Sequence, residues 1–470
     1  MSLRTLLSVA LLAGCTPDPP KNAEPSSSTP SSDTTGTTPP DTPPGDTGTP
    51  PERTALDIAL DDAFRIDPSR IDVVYDVTPT ADTLEGSAVI TFTMRPGEDQ
   101  PLFHFAPYMN GQGEARSALV SLLLDGEPLD PQRDEDLRVE VFPGSTQESF
   151  VLQRTVGGGE HTMEIAWSIP NIYQIFRRDW FLTLVDDTVG HGNDSLWPTI
   201  NSPEALARHT VEVRLHDPRS YAFVASGEVT GPTLVGDAQV WTLDTLREVA
   251  SYTVLLAAMP ADQVQVRQFD AGDVPVTLVS TEPPGRTDDA QDLTVRTVAQ
   301  LEDDFGAFPM PSLSVLLLDW PDGMEYYGGT ITGYSSLSHE LVHMYWGCSA
   351  INRTWRDSWI DEAVNVWYEA HDVLPELPAD DTSGIVGDRD VLELGFDGRA
   401  YGPGAMMFGA VADRMGGDDV LLGFLRGFRD AHVFVPYTTD ELVEALTDET
   451  GDAGIRPAFE AWVGLEPVAR

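Results

Sequence analysis

Short runs in which apolar and polar side chains alternate fill residues 55 to about 259. Ile71-Asp72-Val73-Val74-Tyr75, Ser87-Ala88-Val89-Ile90-Thr91-Phe92, Thr210-Val211-Glu212-Val213-Arg214-Leu215 and Tyr252-Thr253-Val254-Leu255-Leu256 lie between turn residues. A period of two with β-branched residues predicts antiparallel strands in a sandwich or saddle-shaped sheet. After Pro260 the period changes. One more strand, residues 274–279, precedes a helix over 288–305, where Leu293, Val295, Val298, Leu301 and Phe305 fall mainly three and four apart. Residues 314–318 read as a buried strand. Helices are then predicted at about 336–347, 358–371, 403–415, 418–430 and 438–448. Pro403 suits a first helical turn, Gly416-Gly417 a stop, and Thr438 with Glu441 a capping box. The chain therefore reads as α+β, with an N-terminal β domain over 55–262 and a mostly helical domain over 263–470.

The N-terminus follows a different pattern. Arg4, the apolar stretch Leu6 to Leu12, and Leu12-Ala13-Gly14-Cys15 have the form of a secretory leader over residues 1–15, too short to span a bilayer. Leu-Ala-Gly-Cys resembles the bacterial lipobox, which implies that Cys15 is lipidated and becomes the new N-terminus. Residues 16–54 are Pro, Ser, Thr, Asp and Gly with almost no large apolar side chain. Such a segment buries too little surface to offset chain entropy and is expected to be a disordered tether. The expected location is extracytoplasmic, on a bacterial membrane through the lipid, with the outer membrane favoured. The only other cysteine is Cys348, so a disulfide within the mature monomer is not expected.

Charge narrows the partners. The 470 residues carry 76 acidic and 28 basic groups, a formal net charge of -48, and Lys21 is the single lysine. Phosphate binding needs a basic footprint, so nucleic acid is excluded as a partner. No Asp-x-Asp-x-Asp-Gly loop points to calcium.

The chemistry concentrates at His339-Glu340-Leu341-Val342-His343. Two imidazoles four residues apart share one face of a helix, and Glu340 can stand beside a metal-bound water as general base. The same pentapeptide occurs at ordinary helix-packing faces, so a third ligand decides its meaning. Glu362, nineteen positions beyond His343, opens a second helix that can return a carboxylate to the same ion. Glu369, two turns further on the same face, can accept a hydrogen bond from a ligand imidazole.

His339 to Glu362 resembles the signature of the aminopeptidase N family of gluzincins, H-E-x-x-H followed by W-x-G-N and W-L-N-E-G. Tyr345, Cys348 and Asp361 depart from that pattern, while His339, His343 and Glu362 keep it. Gly323-Met324-Glu325-Tyr326 is similar to the family's G-x-M-E-N, whose Glu grips the substrate's free amine and whose strand pairs with the substrate backbone. Tyr401-Gly402-Pro403-Gly404-Ala405 is similar to Y-x-K-G-A, whose Tyr stabilises the oxyanion; Pro403 replaces the Lys. Trp197 to Pro203 resembles a stretch of the family's β domain, but its second amine anchor falls at Val189, with Asp186 or Asp187 near by. The resemblance covers about residues 60 to 465 and lacks the C-terminal helical domain of longer relatives. It implies a thermolysin-like catalytic domain over 263–470, one Zn2+ per chain on His339, His343 and Glu362, and catalytic Glu340 and Tyr401. Gly323, Met324 and Glu325 are the implied substrate-binding residues. The implied reaction removes N-terminal residues from peptides. An endopeptidase on the same site, and a surface-tethered binding protein without turnover, are the alternatives.

Overall fold

The computed structural model describes residues 65–79, 83–105, 118–133, 135–141, 148–170, 182–183, 197–200, 202–354, 357–375 and 398–463. Cys15, the 16–54 segment, Asp186, Asp187 and Val189 lie outside them.

Eight strands form the main sheet of the N-terminal half: β1 (Ile66–Thr78), β2 (Thr83–Met94), β3 (Ala118–Leu124), β4 (Glu127–Leu129), β5 (Glu160–Pro170), β6 (Leu206–Leu215), β7 (Glu228–Val235) and β8 (Ala238–Ala250). Their spatial order is β7-β8-β6-β1-β2-β5-β3-β4. The predicted alternation is there: in β6 every second side chain from Ala207 to Leu215 is buried, which is how one sheet face meets a core while the other stays wet. One pair departs from the antiparallel rule, because β1 runs parallel to β6, Val73 opposite Val211. Tyr252 and Thr253, read as the start of a strand, instead lie in a 3-10 turn over Ser251–Thr253, and the strand begins at Leu256 and runs to Pro260. All five of its residues are buried, so this run covers two faces rather than alternating between them.

A five-stranded sheet opens the second half: β9 (Gln265–Ala271), β10 (Val274–Ser280), β11 (Leu313–Leu317), β12 (Gly323–Tyr326) and β13 (Gly329–Thr332). The order is β9-β10-β11-β13-β12, which leaves β12 on the edge. Between β10 and β11 runs α1 (Pro284–Phe305); it starts four residues before the predicted position because Pro284 sits in its first turn. Val224, Leu255, Met259, Leu316, Tyr326 and Ile331 join strands 221–225 and 256–260 to this sheet in one apolar layer. The layer fixes the edge strand against the β domain, and a second tie runs from the Tyr327 amide to the Thr253 carbonyl at 2.7 Å.

The remaining elements are α2 (Leu337–His343), α3 (Trp359–Ala370), α4 (Gly398–Met415), α5 (Asp418–Ala431), α6 (Thr439–Thr450) and α7 (Ile455–Val463). The expected 336–347 helix stops at His343, because Gly347 takes φ +107° and the Cys348 amide turns back onto the His343 carbonyl at 3.0 Å. Pro403 stands inside α4 rather than in its first turn, since that helix begins at Gly398. The capping box at Thr438 and Glu441 forms with both reciprocal hydrogen bonds. Helix α7 was not anticipated.

Candidate metal centre

Helix α2 is buried along nearly its whole length, with Leu341 and Val342 on the core side and His339 and His343 on the other. The i, i+4 spacing stacks the two imidazoles edge to face with centroids 4.8 Å apart. Helix α3 packs against α2 and brings Glu362 to them. His339 Nε2 lies 3.1 Å from Glu362 Oε2 and 3.2 Å from His343 Nε2; His343 Nε2 lies 3.4 Å from Glu362 Oε2. Three donor atoms sharing one tetrahedral zinc at about 2.0–2.1 Å stand roughly 3.3 Å from one another. The triangle fits that size.

The outer nitrogens are already engaged. His339 Nδ1 donates to Glu369 Oε2 at 3.0 Å, and Ser338 Oγ donates to the other oxygen of Glu369 at 2.8 Å. His343 Nδ1 donates to the Trp346 carbonyl at 3.2 Å. With both Nδ1 atoms engaged outward, the two Nε2 atoms and a carboxylate converge on one buried point, an arrangement that calls for a cation. The charge balance agrees. Glu325, Glu340, Asp361, Glu362 and Glu369 surround two imidazoles. Burial pulls the His343 pKa down, but Glu325 and Glu362 outweigh it and hold it up at about 10. Burial opposes ionisation of Glu362 too, and His343 and His339 overturn it, holding that carboxylate below its ordinary range.

Glu340 follows His339 on α2 and turns toward β12. The residue is 3% exposed, and its Oε2 has no protein hydrogen-bond partner. A Cβ added to Gly323 would stand 2.3 Å from Glu340 Oε1, so only glycine lets the strand lie directly on the carboxylate. Burial raises the Glu340 pKa to about 8 against the pull of the two histidines. Glu325, half-buried two residues along the strand, has a carboxylate oxygen within 4.8 Å of ligand atoms on Glu340 and His343. Tyr401, from α4, donates its hydroxyl to Glu362 Oε1 at 2.7 Å and stacks on His339 at 6.3 Å.

Thus His339, Glu340, His343, Glu362, Glu369, Tyr401, Gly323 and Glu325 come to one place, whereas the Met324 side chain packs against the apolar layer that joins the strand to the β domain. Three neighbours escaped the sequence reading. Ser338 clamps Glu369. Asp361, read only as a departure from the motif, is a half-buried carboxylate whose Oδ1 accepts the Glu362 amide at 2.8 Å; desolvation lifts its pKa to about 8. Asn365, between Glu362 and Glu369, is fully buried with neither side-chain atom partnered by protein. Only the i, i+3 and i+4 spacing around Glu362 hinted at the last. Of the upstream motif, Trp197 is buried and Thr199 pairs with His104 in the β domain.

No model of a known protein family matches the chain. Aminopeptidase N of Lactococcus lactis subsp. lactis is 22% identical over 265 residues, 52% of this chain and 31% of that protein. The chain spans about a third of the length of the curated relatives it matches. A mutant M1 zinc metallopeptidase of Deinococcus radiodurans, solved bound to a Tyr-Ser-Ala substrate, superposes with TM-score 0.64 at 19% identity, covering 86% of this chain and 96% of that one. Legionella pneumophila aminopeptidase A, solved with aspartic acid, gives TM-score 0.66 at 15% identity over 86% and 50%.

Proposed function

We propose that this chain, which has the two-domain M1 zinc metallopeptidase fold and an aminopeptidase N-like sequence, is a zinc aminopeptidase. The observation that carries the reading is the 3.1–3.4 Å triangle of His339, His343 and Glu362 with Glu340 and Glu325 beside it. Zinc bound by those three residues supplies Lewis acidity and makes water nucleophilic near neutral pH. The chain's own groups do the rest. Glu340 accepts the proton of the attacking water and passes it to the leaving amine. Tyr401 swings its hydroxyl from Glu362 to the oxygen on which negative charge develops. Glu325 pairs with the free α-ammonium and so sets the distance from the N-terminus to the cut, while the open edge of β12 takes the peptide backbone.

The endopeptidase alternative would draw support from a Glu325 turned away from the cluster, and it faces the cluster. The test is metal content beside hydrolysis. The wild-type protein is expected to hold one zinc and to cleave alanine p-nitroanilide until a chelator removes the metal. A His343→Ala, Glu362→Ala double variant with stoichiometric zinc would refute the ligand set.

Lipidation at Cys15, a tether over 16–54, and a domain division near 262 belong to the same reading, supported by the lipobox and by the change of sequence texture. Cys15→Ser is expected to move the protein from detergent-requiring to soluble fractions; unchanged fractionation counts against the anchor.

A further inference from the structure

Asn365 is the buried polar side chain that the mechanism leaves unused. It is 0% exposed, and neither its Oδ1 nor its Nδ2 has a hydrogen-bond partner among the described residues. Its neighbours along α3, Ala363, Val364, Val366 and Trp367, are all buried and apolar. An apolar residue would fill the position without leaving a donor and an acceptor unmet, which is costly away from water. Spacing sets the direction of the amide. Asn365 stands three residues after Glu362 and four before Glu369, so the three side chains share one face of the helix. Helical side chains lean toward the N-terminus, which tips the Asn365 amide back along that face toward Glu362.

The two carboxylates on that face differ in what they hold. Glu369 receives Ser338 Oγ on one oxygen and His339 Nδ1 on the other. On Glu362, Oε2 faces the two imidazoles and Oε1 accepts the Tyr401 hydroxyl at 2.7 Å. That hydroxyl carries one proton, so it cannot serve Oε1 and a substrate oxygen at once. When Tyr401 leaves, Oε1 is a buried carboxylate oxygen stripped of its donor, one helical turn from an amide with two N–H bonds and no acceptor. We infer that Asn365 is a positioning residue: its Nδ2 takes over the hydrogen bond to Glu362 Oε1 when Tyr401 turns to the substrate. The exchange keeps the carboxylate oriented while charge develops and lowers the cost of releasing Tyr401. This deepens the aminopeptidase reading and rests on it.

The test crosses Asn365→Leu with Tyr401→Phe in the full chain. Leucine keeps the volume and replaces an unpartnered amide among apolar neighbours, so the fold is expected to hold; Asn365→Ala repeats the test with a smaller side chain. Two quantities are read: kcat and KM for alanine p-nitroanilide, and zinc affinity by competition with a chromophoric chelator. Asn365→Leu alone is expected to lower kcat by about tenfold at unchanged KM, because the lost bond to a charged group forms only after Tyr401 has moved. Its zinc affinity is expected to stay as in the wild type, because Tyr401 still covers Oε1 at rest. With Tyr401→Phe in place the pattern reverses. Asn365→Leu then leaves the residual kcat unchanged and weakens zinc binding by about tenfold, because Oε1 has lost both donors. An amide with a merely structural role would act alike in the two backgrounds. Equal losses in both backgrounds, or no loss in either, would overturn the assignment. If the wild type holds no zinc and leaves the anilide uncut, the aminopeptidase reading fails and this inference with it; if it does both and the two substitutions act independently, only this inference fails.

Discussion

At Glu340 burial, a strand lying directly overhead and an unpartnered Oε2 meet in one side chain. A carboxylate so placed can reach a water on the neighbouring ligand triangle without itself filling a ligand position. Glu340→Gln keeps the shape and removes the proton acceptor. The variant is expected to hold zinc like the wild type and to lose ~10²–10⁴-fold in kcat, the usual worth of a general base; near wild-type turnover would assign the base elsewhere. Glu369 acts through His339. Glu369→Gln should weaken zinc retention by ~10–100-fold, as loss of an outer-shell carboxylate commonly does, measured by competition with a chromophoric chelator. Ligand spacing was legible in the sequence because an i, i+4 pair on a helix is a geometric statement in itself. Ser338, Asp361 and Asn365 were not, because nothing in a single sequence says that a polar residue is placed next to a charge.

Among the elements, α2 and α3 do the positioning, and their ends matter more than their middles. Gly347 ends α2 at φ +107°, and a Cβ there would stand 3.1 Å from His343 Nδ1 and 3.2 Å from Asp361 Oδ2. Gly347→Ala combines left-handed strain with that crowding and is expected to cost about 1–3 kcal/mol, read as a lower denaturant midpoint together with faster zinc loss. An unchanged midpoint would mean that the turn relaxes freely. The helices at 358–371, 418–430 and 438–448 were legible to within a residue or two because their apolar stripes and caps lie within a few residues of one another. The parallel pairing of β1 with β6 was not. Alternation reports which face is buried and is silent about the direction of a partner distant in the chain. The strand expected from Tyr252 slipped to Leu256 for a related reason: a run buried on both faces has no period to fix its register.

For the whole molecule, a formal charge of -48 and buried histidines both bear on acid behaviour. His209 is fully buried in the β domain, its Nε2 bonded to Ser251 at 3.0 Å, and burial lowers its pKa to about 4. The unfolded chain takes up this proton near pH 6.5 and the folded chain only near 4. Between those values the unfolded state binds more protons, so stability falls as the pH falls. From pH 7 to 5 this one imidazole should cost about 2 kcal/mol. His209→Gln should flatten the pH dependence of the urea midpoint over that window; an equal slope in the variant would place the acid sensitivity in other groups. The central claim, that one buried centre removes residues from free N-termini, is tested most directly by a single comparison: kcat/KM for one peptide with its α-amine free and with it acetylated. Acetylation removes the cation that Glu325 is placed to pair with and leaves the rest of the site unchanged. A large loss on acetylation, with the first residue as the product of the free peptide, is the expected result. Equal values for the two, or cleavage well inside the chain, would contradict it.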